Sequence, residues 1–170
     1  MVDLSFSSDI VNIKKVEVCD VVMEIIEKQY LSVESLLSYR TRSTYSKLDK
    51  LIEHILESLK FLEMERTGNI IFSQKENTYG TDETILDLEF FVPVSKEFKS
   101  NEFYVYKPQL MLFNAVRARH SGTYDTLKNS RKKMQTYLSR KCYQPITDFY
   151  YYINNSNLVD IYVGINGNIV

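Results

Sequence analysis

Two stretches of this chain spell the same corner. Tyr39-Arg40-Thr41-Arg42-Ser43-Thr44-Tyr45-Ser46-Lys47-Leu48 and Ala118-Arg119-His120-Ser121-Gly122-Thr123-Tyr124-Asp125-Thr126-Leu127 lie 79 positions apart. Arg40 matches Arg119, Thr44 matches Thr123, Tyr45 matches Tyr124 and Leu48 matches Leu127. Each stretch closes an apolar run and opens an amphipathic one, so each reads as a strand-to-helix turn. The chain is therefore two copies of one unit. The unit is too long, and its copies too few, for a solenoid. A pseudo-twofold pair sharing one sheet is the economical solution.

In the first copy, Leu48, Leu51, Ile52, Ile55, Leu59 and Leu62 recur at helical spacing, with Lys47, Lys50, Glu53, Glu57 and Lys60 opposite. That pattern predicts a helix over Tyr45 to Met64, capped by Ser43 or Thr44 and stopped at Thr67-Gly68-Asn69. Strands are expected at 22–28 and 31–39 before it. After it come Ile70 to Ser73 and Ile85 to Val94, with a polar loop from Gln74 to Thr84 between them. The second copy repeats the order: strands at Phe103 to Tyr106 and Leu110 to Ala118, then a helix from Tyr124 to Arg140 with Leu127, Met134 and Leu138 inward. Phe149 to Ile153 and Leu158 to Ile165 follow, joined by the Asn-rich turn 154–157. This divides the chain into a polar arm (1–21), a first repeat (22–94), a linker (95–102) and a second repeat (103–165). The fold class is α+β: two pseudo-twofold ββαββ repeats forming one antiparallel sheet with both helices on one face.

Composition removes several functions. Lys and Arg number 21 against 22 Asp and Glu. The longest basic run is Arg131-Lys132-Lys133, which reads as a solvated helix face, so no nucleic-acid partner is expected. Cys19 and Cys142 form no CxxC motif and read as reduced thiols of a cytoplasmic protein. No apolar stretch has the length of a signal peptide core or a membrane span, so no membrane insertion is expected. His54 and His120 are far apart and neither sits beside a cysteine, which leaves no metal site. GxSxG, Walker-type and GxGxxG patterns are absent, and no cofactor is expected. His120 reads as a capping or exposed histidine, His54 as a surface one, and Tyr45 and Tyr124 as packing at the corner.

Strand parity locates a candidate site. Leu88, Phe90 and Val92 match Val159, Ile161 and Val163 and should face the helices. The alternate positions, Glu89 with Phe91 and Asp160 with Tyr162, then project from the opposite face, where symmetry should bring them near each other. Either Tyr150 and Tyr152 or Phe149 and Tyr151 add aromatics, since parity on that short strand stays open. The expected lining is Glu89, Phe91, Asp160, Tyr162 and Tyr151. Rings with carboxylates among them suit a hydrophobic cation. The plainer reading of both acids is solvation on an open sheet face.

The 119–127 corner, the closing strands 86–94 and 159–165, and the duplication together resemble the GyrI-like, effector-binding domain superfamily, related to the haem-binding SOUL proteins. The stretch from Tyr45 to Val94 is also similar to short uncharacterised Firmicute proteins, some near type VII secretion genes. The resemblance implies a ligand cleft between the repeats, with Glu89 and Asp160 at the position of the relatives' closing-strand Glu. Some relatives hydrolyse small substrates with a Glu and a Tyr there; the shorter Asp160 and Gly164, where proline is usual, depart from that pattern. No haem ligand is suitably placed. The stretch before residue 22 is too short for a DNA-binding helix-turn-helix. The expectation is a non-enzymatic module holding a small cationic or aromatic ligand. The alternatives are a protein-interaction role, as a secretion accessory factor or an enzyme inhibitor, which a filled or shallow cleft with an exposed apolar patch around Ile10 to Ile26 would signal, and, third, a small hydrolase using the Glu89 or Asp160 carboxylate.

Overall fold

The computed structural model describes residues 23–77 and 85–166. The arm at 1–21, Cys19, most of the predicted polar loop and most of the apolar stretch Ile10 to Ile26 lie outside the described residues. Within them the chain runs β1 (Ile25–Ser43), α1 (Leu48–Phe61), β2 (Ile71–Asn77), β3 (Ile85–Pro93), β4 (Tyr104–Ser121), α2 (Leu127–Arg140), β5 (Pro145–Asn155) and β6 (Leu158–Ile165). Short 3-10 turns, Tyr45–Lys47 and Tyr124–Thr126, lead into the helices.

The duplicated α+β architecture forms as expected, and every strand pairing is antiparallel. Two details sharpen it. The paired strands expected at the head of each copy run on as single long strands, β1 and β4. In β1 a bulge stands near the expected turn: Lys28 (φ 54) adopts left-handed backbone, as does Ser35 (φ 55) further along, and the register against β4 slips around Gln29, while β4 runs in register through 107–110. A bulge switches which face a strand shows without ending the strand. The sheet also closes into a ring ordered β1-β3-β2-β5-β6-β4, with β4 pairing back onto β1.

Both helices bury their apolar stripes in one core. Leu48, Ile55 and Leu59 from α1, and Leu127, Met134 and Leu138 from α2, are buried. They share a cluster with Leu88, Phe90, Val92, Val159, Ile161 and Val163, as parity predicts. At its centre Phe72 and Tyr151 pair across β2 and β5. Their rings stack 4.7 Å apart with planes 4° from parallel. The two residues are 79 positions apart, so the stack lies on the pseudo-twofold axis.

The helix ends are duplicated too, and the starts depart from expectation. No side-chain cap bond forms at Thr44 or Thr123, because the 3-10 turn takes up the first backbone donors. Lys47 donates to the Thr44 carbonyl at 3.1 Å, and Thr126 to the Thr123 carbonyl at 3.2 Å. At the other end, Glu63 (φ 50) and Cys142 (φ 56) hold the left-handed position after each helix. Met64 and Tyr143 then donate back to Leu59 and Leu138 at 3.0 and 2.9 Å, a Schellman closure built without glycine.

Candidate functional site

The face of the sheet opposite the helices can be read from the register. One cross-strand row runs Arg40, Glu89, Ser73, Tyr150, Tyr162, Arg117. The next runs Ser38, Phe91, Ile71, Tyr152, Asp160, Arg119. Glu89, Phe91, Asp160 and Tyr162 thus share this face. Tyr151 does not: it is fully buried in the helix-side core against Phe72, and parity turns Tyr150 and Tyr152 to the site face in its place. The long β1–β4 ribbon covers much of the face. Leu31, Leu112 and Ala115 pack with Tyr150, Tyr152 and Tyr162, while Leu36, Ile71 and Phe91 form a neighbouring cluster.

The two acids do not converge. Glu89 is on β3 and Asp160 on β6, three strands apart in either direction around the ring. Each instead has an arginine opposite it, and these are the matched Arg40 and Arg119 of the duplicated corner. Arg119 holds Asp160 with two bonds, Nε to Oδ1 at 2.8 Å and Nη2 to Oδ2 at 3.0 Å, and Asn154 donates a third at 3.0 Å. Burial raises the Asp160 carboxyl, but the bonds from Arg119 and Asn154 outweigh it and hold the group below the usual carboxylate range. Arg40 is largely exposed and reaches Glu89 at 3.2 Å. The plain reading of both acids as solvated therefore fails, since their side chains are 16% and 5% exposed.

Glu89 has a different principal partner. Lys107 Nζ lies 2.5 Å from Glu89 Oε1 and 4.9 Å from the centre of the Phe91 ring, while Ser38 Oγ donates to the same oxygen at 2.6 Å. Burial raises the Glu89 carboxyl; the bonds from Lys107 and Ser38 more than offset it, so it ionises below its ordinary value. The ammonium is thus held by a carboxylate and a ring face together, the chemistry expected of a cation site. Beside it opens a groove of about 460 Å³ lined by Ser38, Tyr39, Arg40, Phe103, Val105 and Lys107. Phe103 and Val105 are exposed there. Lys107 escaped the reading from sequence because its partners come from β3, on the far side of β1. Lys28 stands 79 positions before Lys107, the spacing of the two corners, and that match was the available signal.

His120 is buried, against the expectation of a capping or exposed histidine. Its Nδ1 lies 2.7 Å from Ser130 Oγ and its Nε2 3.1 Å from the Thr123 carbonyl, pinning the corner to α2. A further polar cluster went unforeseen. The Glu27 carboxylate accepts bonds from the Tyr137 and Tyr143 hydroxyls, the latter at 2.9 Å, with Lys141 Nζ at 3.5 Å. Those bonds from Tyr137 and Tyr143 hold Glu27 below the usual carboxylate range. Among the described residues no cluster of His, Cys, Asp or Glu suits a metal, Cys142 is a free, exposed cysteine, and no helix is long and apolar enough to cross a membrane.

Two βαββ halves closed around a pseudo-twofold axis make the fold that the GyrI-like resemblance implied. No protein-family model matches the sequence, and no curated protein matches it. Solved structures do share the fold. The crystal structure of the EcmrR C-terminal domain gives a TM-score of 0.60 at 19% identity, over 85% of this chain and 98% of that one. EcmrR in complex with DNA gives 0.64 at 16% identity over 84% of this chain; the chain spans 57% of that EcmrR chain. A structure described as a hydrolase from Listeria innocua lies further off, with a TM-score of 0.48 at 9% identity over 85% of this chain and 91% of its own.

Proposed function

We propose that the chain is a ligand-binding module of the effector-binding kind, taking a small cationic aromatic compound in the groove beside Glu89. One observation carries the proposal: the Lys107 ammonium sits between the Glu89 carboxylate and the Phe91 ring. The chain fills a cation site with its own lysine, and a ligand cation would take the place of that ammonium. Phe103, Val105 and Tyr39 offer the apolar wall for the rest of such a ligand. Glu89 and Phe91 face the ligand in this reading, whereas Asp160 and Tyr162 hold the far wall of the ring. A hydrolytic role for Glu89 fits less well, because a carboxylate saturated by Lys107, Ser38 and Arg40 and held at low pKa is a weak base.

Tetraphenylphosphonium, titrated calorimetrically, tests the reading with opposite outcomes from two variants. Lys107→Met removes the internal competitor and should tighten binding by about ten-fold, the scale of one desolvated ion pair with its cation–π contact. Glu89→Gln removes the counter-charge and should weaken binding by about ten-fold or more. Equal affinity in all three proteins, or weaker binding by Lys107→Met, would sink the site.

A further inference from the structure

The two helices lie on the outer face of the ring as symmetry mates, yet their solvent-facing rows differ in charge. On α1, Asp49, Glu53, Glu57 and Phe61 follow one another at four-residue spacing and all are exposed. This spacing makes a ridge along a helix surface. The same row of α2, shifted by 79 positions, reads Lys128, Lys132, Thr136 and Arg140, and it too is exposed throughout. Acid on one helix faces base at the matched position of the other. Where the acidic row ends in an apolar ring, Phe61 at 89% exposure, the basic row ends in a guanidinium. α2 as a whole carries no Asp or Glu. Lys50 and Lys60 on α1 flank its acidic row and reduce its charge without interrupting it.

Within one molecule the helices are joined through the 3-10 turns at their starts, and neither row covers the other. A second copy can satisfy both at once. Turning a copy over about a line that runs just outside the helix layer, parallel to it and between the two rows, brings its α2 to face α1 and its α1 to face α2. The operation is a closed twofold, so the same patch is used by both partners. We propose that this chain pairs with a second copy of itself through the helix face, acidic row of α1 on basic row of α2, twice. Arg140 or Lys128 of one copy then reaches the Phe61 ring of the other, a favourable cation–π geometry. Exposed ion pairs are individually weak and screened by salt. The pair is therefore a reversible, salt-sensitive dimer, independent of whether the groove beside Glu89 holds a ligand.

Sedimentation equilibrium of the full chain tests this by exchanging charges. Wild type should dimerise in low salt and dissociate in about 0.5 M NaCl, where the screening length falls to about 4 Å. Glu53→Lys with Glu57→Lys leaves both rows basic, and Lys128→Glu with Lys132→Glu leaves both acidic. Each double variant should self-associate at least about ten-fold more weakly than wild type, since the exchanged positions now meet like charges in place of opposite ones. An equimolar mixture of the two should dimerise again, as should the protein carrying all four changes. A monomeric wild type at sub-millimolar concentration in low salt overturns the proposal, as does a dimer that both double variants retain. So does failure of the mixture to pair. Binding of a labelled DNA duplex by a monomeric wild type, lost in Lys128→Glu with Lys132→Glu, would assign the basic row to nucleic acid in place of a second copy.

Discussion

Gly122 shows how little freedom the corner has. Its φ of 144° is a conformation that side-chain-bearing residues rarely adopt, and a Cβ there would meet Thr126 Oγ1 at 3.1 Å and His120 Nε2 at 3.4 Å. Backbone strain and the crowding act together, so Gly122→Ala should cost about 1–2 kcal/mol, read as a lowered urea midpoint. The opposite change is expected where the chain strains itself. Cys142 occupies the left-handed position after α2 without being glycine, and its side chain is exposed. Cys142→Gly should stabilise by about 0.5–1 kcal/mol, and an unchanged or lowered midpoint would mean that packing of Cys142 matters more than its backbone. The first copy differs instructively: Ser43, with ordinary strand geometry in β1, stands where Gly122 does. Reading the corner as structural was therefore sound, although the threonine cap imagined for it is replaced by the 3-10 turn.

At the scale of elements, the Glu27 cluster does what no symmetry mate does. It ties the bulged start of β1 to the last turns of α2 and to the residue after the helix, through Tyr137, Lys141 and Tyr143. In the first copy the matched positions are Ser58, Leu62 and Met64, so α1 is held by apolar packing alone at this point. The bond to Glu27 pushes the Tyr137 phenol up to about 12 from an ordinary value of 10.0. Because the folded chain keeps this proton longer than the unfolded chain, the stability contributed is whole below pH 10 and is lost as the pH climbs towards about 12. Tyr137→Phe should make the decline of the urea midpoint across that window shallower, and an identical slope in both proteins would remove Tyr137 from the account. Nothing in local patterning announced the clamp, since Glu27 and Tyr137 are 110 residues apart and meet only once β1 has bulged at Lys28.

Over the whole molecule, what could be read from sequence was whatever repeats at short range. Alternation placed Leu88, Phe90 and Val92 under the helices and Glu89 and Phe91 on the far side, and the duplicated corner implied the twofold. Ring closure, and with it the separation of Glu89 from Asp160 by three strands, depends on β4 pairing back to β1, which no local pattern encodes. The same limit hid the partners of both acids, although Arg40 and Arg119 were already matched to each other. Those two pairs now make the clearest test of how evenly the duplicated fold shares its load. Arg40 is 77% exposed over Glu89, whereas Arg119 is 37% exposed and binds an Asp160 side chain that is only 5% exposed. Solvent screens the first arginine, so Arg40→Ala should change stability by no more than about 0.5 kcal/mol. Asp160→Asn leaves the Arg119 fork and Asn154 facing a weaker acceptor in a buried place and should cost about 1–3 kcal/mol at neutral pH. The folded Asp160 ionises below its ordinary value of 3.8. Its contribution is consequently complete above that value and disappears as the pH falls through the lower, folded one. Urea midpoints of wild type and Asp160→Asn, measured from neutral pH down, should draw together once the pH falls below 3.8, because protonation removes the same charge that the substitution does. A gap that stays constant over the whole range would mean that Asp160 acts by shape and not by charge.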